Sequence, residues 1–280
     1  MTLVTLKSLI THAQEHNYAV GSFSVASSEM ILGAIQAAEA LQSPMILQIA
    51  EVRLKHSPLH IIGPAMVSAA KAASIPVAVH FDHGLTEQKI CEALEIGFTS
   101  IMFDGSHHLL AENIRQSKHI AQIVSGYGAS FEAEIGQVGG SEDGSEDIEM
   151  RTTSLNEAQV FVQEVPVDAL AIAIGNAHGI YKGTAQLQFN KLADLQNNLQ
   201  TPLVLHGGSG LTEQDFHACI ERGIRKINVA TSTFHSVRDF VNQASSFHDY
   251  YDLHAQLISG AQTNIERHIK MFKSDGKVVQ

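Results

Sequence analysis

Three histidines carry the strongest chemical suggestion in this sequence. His83 follows the run Pro76-Val77-Ala78-Val79-His80-Phe81-Asp82, and His178 comes shortly after Ala169-Leu170-Ala171-Ile172-Ala173-Ile174-Gly175. His206 ends Pro202-Leu203-Val204-Leu205. One histidine at the end of an apolar run is commonly a satisfied structural group. Three imidazoles brought from separate strands to one mouth make the three-ligand set of a catalytic zinc site, with a position left open for substrate oxygens. Asp82, beside His83, has three readings: it holds the metal, orients a ligand, or acts as an acid/base. Adjacent strand residues point to opposite faces, so Asp82 and His83 reach one mouth only if the backbone turns at the strand end.

A second group suggests phosphate. Gly207-Gly208-Ser209-Gly210 follows one apolar run, and Asn228-Val229-Ala230-Thr231-Ser232 follows the next. Backbone N–H groups in a Gly-rich turn and at a helix start bind phosphate without any lysine. Tight turning alone accounts for one such segment, but not for its pairing with a Thr-Ser helix start. Lys182, close after His178, would add a cation; by default it is a surface lysine. Glu142 sits among glycines and serines and is by default a solvated acid, of interest only if its segment folds over the metal.

These residues need a frame that gathers strand ends. Short apolar or β-branched runs predict strands near 18–24, 44–50, 76–82, 98–104, 129–135, 168–175, 202–206 and 224–229. Several are apolar on both faces, which suits parallel strands buried under helices. Between them, residues such as Ile31, Ile35, Ala38 and Leu41 recur at helical spacing, and Gly97 and Pro202 mark helix stops. Eight alternating β and α units favour a closed (β/α)₈ TIM barrel over an open doubly wound sheet. Polar residues then fall at successive strand C-termini, the face where barrel active sites are assembled: Asp82-His83, Asp104-Gly105-Ser106, Glu132 and Glu134, Asn176 and His178, His206, and Asn228. Residues 136–153 lack apolar periodicity and are expected to form a mobile active-site loop. With no linker or composition shift, residues 1–280 are expected to be a single α/β domain.

Composition limits the partners. The chain has 18 basic and 29 acidic residues, a formal net charge of −11. It thus has no basic footprint for nucleic acid or an anionic membrane. Only Cys91 and Cys219 are present, so neither a disulfide framework nor a cysteine metal site is implied. The sequence shows neither a signal pattern nor an apolar run of spanning length, so a soluble cytoplasmic protein is expected.

Val77-Ala78-Val79-His80-Phe81-Asp82-His83-Gly84 resembles a segment of class II fructose- and tagatose-bisphosphate aldolases. So do Ser100-Ile101-Met102-Phe103-Asp104-Gly105-Ser106-His107 and Glu132-Ala133-Glu134-Ile135-Gly136-Gln137-Val138-Gly139-Gly140. The same holds for Gly175-Asn176-Ala177-His178-Gly179, Leu205-His206-Gly207-Gly208-Ser209-Gly210 and Lys226-Ile227-Asn228-Val229-Ala230-Thr231. The segments run in family order over nearly the whole barrel and are most similar to the tagatose-bisphosphate type. The resemblance implies a lyase that reversibly cleaves a phosphorylated ketose to dihydroxyacetone phosphate and an aldehyde. It implies Zn²⁺ on His83, His178 and His206, with Glu134 as an alternative or second-metal ligand. It assigns Asp82 to proton exchange at the C4 oxygen and Glu142, on a lid, to proton transfer at the dihydroxyacetone carbon. Gly179, Gly207, Gly208, Ser209, Asn228, Ala230 and Thr231 match positions that hold dihydroxyacetone phosphate. Family members also bind Na⁺ or K⁺ near that phosphate and form homodimers or homotetramers, in some cases with a stabilising partner subunit.

The chain departs from the fructose-bisphosphate pattern. Ser24 follows Phe23 where those members have Asn, and Ala50-Glu51 stands where they have Ser. Loss of those groups implies a different phosphorylated ketose, with one phosphate or two. Arg267 is the candidate for the C-terminal arginine that some members use for a second phosphate. The rival readings are a metal-independent sugar-phosphate isomerase or epimerase, and a non-catalytic partner subunit of an aldolase complex. The first does not need three strand-end histidines, and the second does not need Asp82, the histidine set or Glu142.

Overall fold

A computed structural model describes residues 2–140, 149–179, 181, 183, 185–244 and 246–278. The strands are β1 (Val20–Ser24), β2 (Met45–Ala50), β3 (Val77–Gly84), β4 (Ser100–Phe103), β5 (Ser130–Ile135), β6 (Gly139–Gly140), β7 (Ala169–Ile172), β8 (Ala177–His178), β9 (Leu203–Leu205) and β10 (Ile224–Val229). The helices are α1 (Leu6–Glu15), α2 (Ser28–Ala40), α3 (Leu59–Ala72), α4 (Glu87–Ile96), α5 (Leu110–Gly126), α6 (Leu155–Glu164), α7 (Phe189–Asn198), α8 (Glu213–Glu221), α9 (Thr231–Gln243) and α10 (Tyr250–Met271). Among the described residues, no helix is long and apolar enough to cross a membrane.

Eight strands close a parallel barrel in the order β1-β10-β9-β7-β5-β4-β3-β2. Each of the eight expected strands is present, and the sixth is shorter than expected, ending at Ile172. Local chemistry explains several helix ends. Thr86 caps α4 through its side chain, and Gly97 ends that helix in the left-handed conformation, φ 107°. Thr212 and Asp215 form a capping box at the start of α8.

Period-2 alternation divides the strand side chains between two environments. Val77, Val79 and Phe81 of β3 point outward into the layer packed under the helices. Ala78 points inward and joins Val20, Ile46, Met102, Ala169, Ala171 and Val204 against Leu6, Leu9 and Ile10 of α1. Helix α1 therefore plugs the N-terminal end of the barrel with apolar side chains. Further along the same inward rows come Ser22, Gln48, His80, Glu132 and Lys226, all buried. The interior thus turns from apolar to polar toward the C-terminal mouth.

The base of the expected loop at residues 136–153 is tied down. Gly139 and Gly140 of β6 pair with Ala177 and His178 of β8, and Gln137 bridges Arg151. Gly140 has φ 81°, and a Cβ there would strike the His178 carbonyl, so only glycine lets the two segments approach. Residues 141–148, which include Glu142, lie outside the described residues.

Candidate metal and substrate site

The strand ends bring His83, His178 and His206 together. Ring centroids are 4.6 Å apart for His83–His206, 4.9 Å for His83–His178 and 5.8 Å for His178–His206. One nitrogen from each lies within 4.8 Å of the others. The outer nitrogens are already engaged: His83 Nδ1 meets Asp104 Oδ2 at 2.7 Å, and His206 Nε2 meets Glu132 Oε1 at 3.0 Å. That leaves His83 Nε2 and His206 Nδ1, 2.8 Å apart, as the inward-facing pair. Glu134 Oε2 is buried without a hydrogen-bond partner and lies 4.0 Å from His206 Nδ1. Three convergent imidazole nitrogens and one orphaned carboxylate oxygen form a donor set suited to zinc. His83, Asp104 and Glu134 are a second grouping able to hold a metal ion.

The end of β3 shows how Asp82 and His83 reach the same mouth. His83 has φ 44°, in the left-handed region, and the β3–β4 register shifts between Phe81 and Gly84. A bulge with a left-handed residue breaks the alternation and swings the His83 ring to the inner side. Such a conformation costs a non-glycine residue about 1–3 kcal/mol and tends to persist where function uses it.

Asp82 is clamped at both oxygens. Gln48 Nε2 donates to Oδ2 at 3.0 Å, and Asn228 Nδ2 donates to Oδ1 at 3.0 Å. Gln48 is itself fixed, because its Nε2 also donates to Ser24 Oγ at 3.0 Å while Ser22 Oγ donates to its Oε1. Burial would raise the Asp82 carboxyl, but the charge of His83, the His80 imidazole 3.7 Å away and the charges of His206 and Lys226 hold it well below the usual range. The same contacts favour the ionised form of Asp82.

The phosphate candidates also converge. A small cavity is lined by Gln48, Asp82, His178, Gly179, Gly207, Ser209, Asn228, Ala230 and Thr231. Gly208 lies behind it, buried against the Asn228 carbonyl. Gly207 has φ 69°, and a Cβ there would collide with the Ala177 carbonyl, so glycine is required at this turn. Ala230 N donates to Ser209 Oγ at 3.2 Å, linking the two phosphate segments. Helix α9 begins beside them at Thr231 with no side-chain cap, so its first N–H groups are available to an anion. Lys182 lies outside the described residues.

The other titratable groups around the cluster are shifted as well. Glu134 is pushed up to about 8, chiefly by burial and then by the Asp104 charge. Burial would also raise Asp104, yet the hydrogen bond and charge of His83 bring it below the ordinary carboxylate range. Glu132 is held at about 2, because Lys226 and His206 outweigh its burial. His206 is pushed down to about 4, first by burial.

Three features of the site do not follow from the strand-end pattern. Gln48 anchors Asp82 from two strand positions before Ala50. Lys226 is fully buried, with Nζ 2.9 Å from Glu132 Oε2. Tyr181 Oη donates to the Gly207 carbonyl and accepts from Ala177 N, both at 3.0 Å, which fixes the glycine turn. Arg267 lies on α10 in a surface groove with Tyr181, Ser209, Gly210 and Thr231. It is thus beside the phosphate segments.

Comparison with known proteins agrees in kind. The family model "Fructose-bisphosphate aldolase class-II" matches residues 4–277. A sulfofructosephosphate aldolase of Alkalicoccus urumqiensis is 34% identical over 283 residues, covering 99% of this chain and 99% of the relative. A 6-phospho-5-dehydro-2-deoxy-D-gluconate aldolase of Shouchella clausii is 34% identical over 285 residues, covering 99% and 97%. The crystal structure of the YdjI aldolase from Escherichia coli K12 superposes with a TM-score of 0.90 at 31% identity, covering 99% of this chain and 100% of that one.

Proposed function

Since the chain belongs to the class II fructose-bisphosphate aldolase family, and is therefore an aldolase, we propose that it is a zinc enzyme acting on a phosphorylated ketose. The products are dihydroxyacetone phosphate and an aldehyde. The observation that carries this reading is the cavity in which Asp82 and His178 share walls with both phosphate segments. A substrate phosphate seated there stands next to both the proton acceptor and the histidine cluster.

His83, His178 and His206 would hold the zinc, with Glu134 as a further ligand. When bound, zinc supplies Lewis-acid stabilisation of the negative charge that C3–C4 cleavage leaves on the dihydroxyacetone half. Asp82 accepts the proton of the C4 hydroxyl as that oxygen becomes the aldehyde carbonyl, and returns it in the condensation direction. Gly179, Gly207, Gly208, Ser209, Asn228, Ala230 and Thr231 bind and orient the phosphorylated half, with Lys182 as an added cation. Glu142 is the proposed proton carrier at the dihydroxyacetone carbon. No lysine Schiff base is required.

The substrate reading rests on the aldehyde end. Ser24 and Ala50 line the strand ends next to Gln48 and Asp82, and Arg53, stacked 5.2 Å from the Phe234 ring centroid, stands just beyond Ala50. The two relatives are named for a sulfonated and a carboxylated sugar phosphate. A ketose with one phosphate on the dihydroxyacetone half, and a different anionic group on the other, fits this rim better than a bisphosphate. A monovalent cation, Na⁺ or K⁺, near the phosphate, a homodimeric or homotetrameric state with or without a stabilising partner subunit, a single-domain chain and a cytoplasmic location complete the proposal.

The test is a panel of ketose mono- and bisphosphates, including 1-phosphates with a sulfonate or carboxylate at the far end. Release of dihydroxyacetone phosphate from the singly phosphorylated anionic ketoses should exceed that from tagatose and fructose 1,6-bisphosphate. Faster cleavage of a bisphosphate would overturn the substrate class, and release from none of them would overturn the activity.

A further inference from the structure

Strand β5 sends two glutamates, Glu132 and Glu134, into the barrel at alternate positions, and their surroundings differ. Glu134 Oε2 faces the histidine cluster without a hydrogen-bond partner. Glu132 lies one inward position deeper, with no exposed surface, and its Oε2, which also makes no hydrogen bond, is held in an ion pair with Lys226. Its Oε1 meets His206 Nε2 at 3.0 Å and accepts from Lys226 Nζ at 3.1 Å, while its Oε2 lies 2.9 Å from the same Nζ. His80 Nε2 approaches Oε2 at 3.8 Å, and His80 is anchored through Nδ1 to Ser100 Oγ at 2.7 Å. Among the described residues, Lys226 has no partner apart from this carboxylate group.

We propose that Glu132 and Lys226 are a positioning pair for the metal centre, an inference that rests on the zinc reading above. Glu132 takes the His206 Nε2–H, which leaves Nδ1 as the lone-pair nitrogen facing His83 Nε2 and turns the ring toward the cluster. A histidine ligand is normally oriented in this way through its second nitrogen. Lys226 holds both oxygens of Glu132 in the layer below, so Glu132 stays out of the ligand set and Glu134 is the carboxylate presented to the metal. The assignment explains why a lysine is kept in the barrel interior, where an unpaired ammonium is strongly disfavoured. It also separates two carboxylates of identical type only two residues apart.

The experiment measures zinc affinity by chelator competition on wild type, Glu132→Gln, and the double variant Glu132→Leu/Lys226→Met. The double variant removes both charges at once and leaves neither uncompensated, which lets the protein fold without the pair. Its zinc affinity is expected to fall by roughly 10- to 100-fold. The visible absorption of the cobalt-substituted protein should shift with it, because the His206 ring is no longer held. Glu132→Gln keeps an acceptor for the Nε2–H and should lose less. Wild-type zinc affinity and an unchanged cobalt spectrum in a folded double variant would overturn the pairing role, leaving Glu132 and Lys226 a merely structural ion pair. If wild type itself bound no zinc, the metal reading and this inference would fall together.

Discussion

Asp82→Ala protein is expected to keep its zinc and to lose carbon–carbon cleavage by roughly 10²- to 10⁴-fold, the usual worth of a positioned acid/base. The geometry separates the two properties. The histidine nitrogens converge on one another, with His83 and His206 tied outward to Asp104 and Glu132. Asp82 is tied to a different set, the amides of Gln48 and Asn228. Removing its carboxylate therefore leaves the donor set in place and removes the acceptor for the C4 hydroxyl proton. Gln48 and Asn228 each lose a partner, so some stability is lost as well. Metal content and kcat measured on the same preparation give the comparison. Near-normal turnover would contradict the assigned role, and loss of zinc would show that Asp82 belongs to the metal set.

His206→Ala is expected to do the reverse, with metal loss as its first effect. The ring supplies Nδ1 to the cluster, and its removal leaves two imidazoles and a carboxylate, an incomplete form of the three-histidine set. Zinc content after dialysis should fall to a small fraction of one ion per chain, and cleavage should fall to background. Collapse of the fold is not the expected cause, because Glu132 keeps Lys226 as its counter-charge when the ring is gone. A thermal melt of metal-free wild type beside the variant separates the two effects. Wild-type zinc content in the variant would remove His206 from the ligand set.

The barrel was legible because its strands are buried on both faces, so runs such as Val77–Phe81 stand out against the helical spacing around them. The histidine and phosphate candidates were legible for a related reason: in a closed parallel barrel all strand C-termini open on one mouth. Less visible was how neighbours in sequence share that mouth. Alternation alone separates Asp82 from His83; the left-handed backbone at His83 and the bulge that ends at Gly84 bring them together, and one glycine at a strand end does not by itself signal a bulge. Gln48 reads as one polar residue in an apolar strand because its partner, Asp82, is 34 positions away. Lys226, next to Arg225, reads as a solvent-facing basic pair until Glu132 is found 94 positions earlier on the facing wall. Strands β6 and β8 have two residues each, too few for any periodicity to show. The fold was readable from local patterns, whereas these links depend on long-range register.

Metal dependence of cleavage tests the central claim most directly. The measurement is dihydroxyacetone phosphate release from the best ketose of the panel by untreated enzyme, by enzyme stripped with a chelator, and by stripped enzyme given one equivalent of zinc. The account predicts that stripping abolishes release and that one equivalent of zinc restores it. Full activity in the stripped, metal-free protein would contradict it.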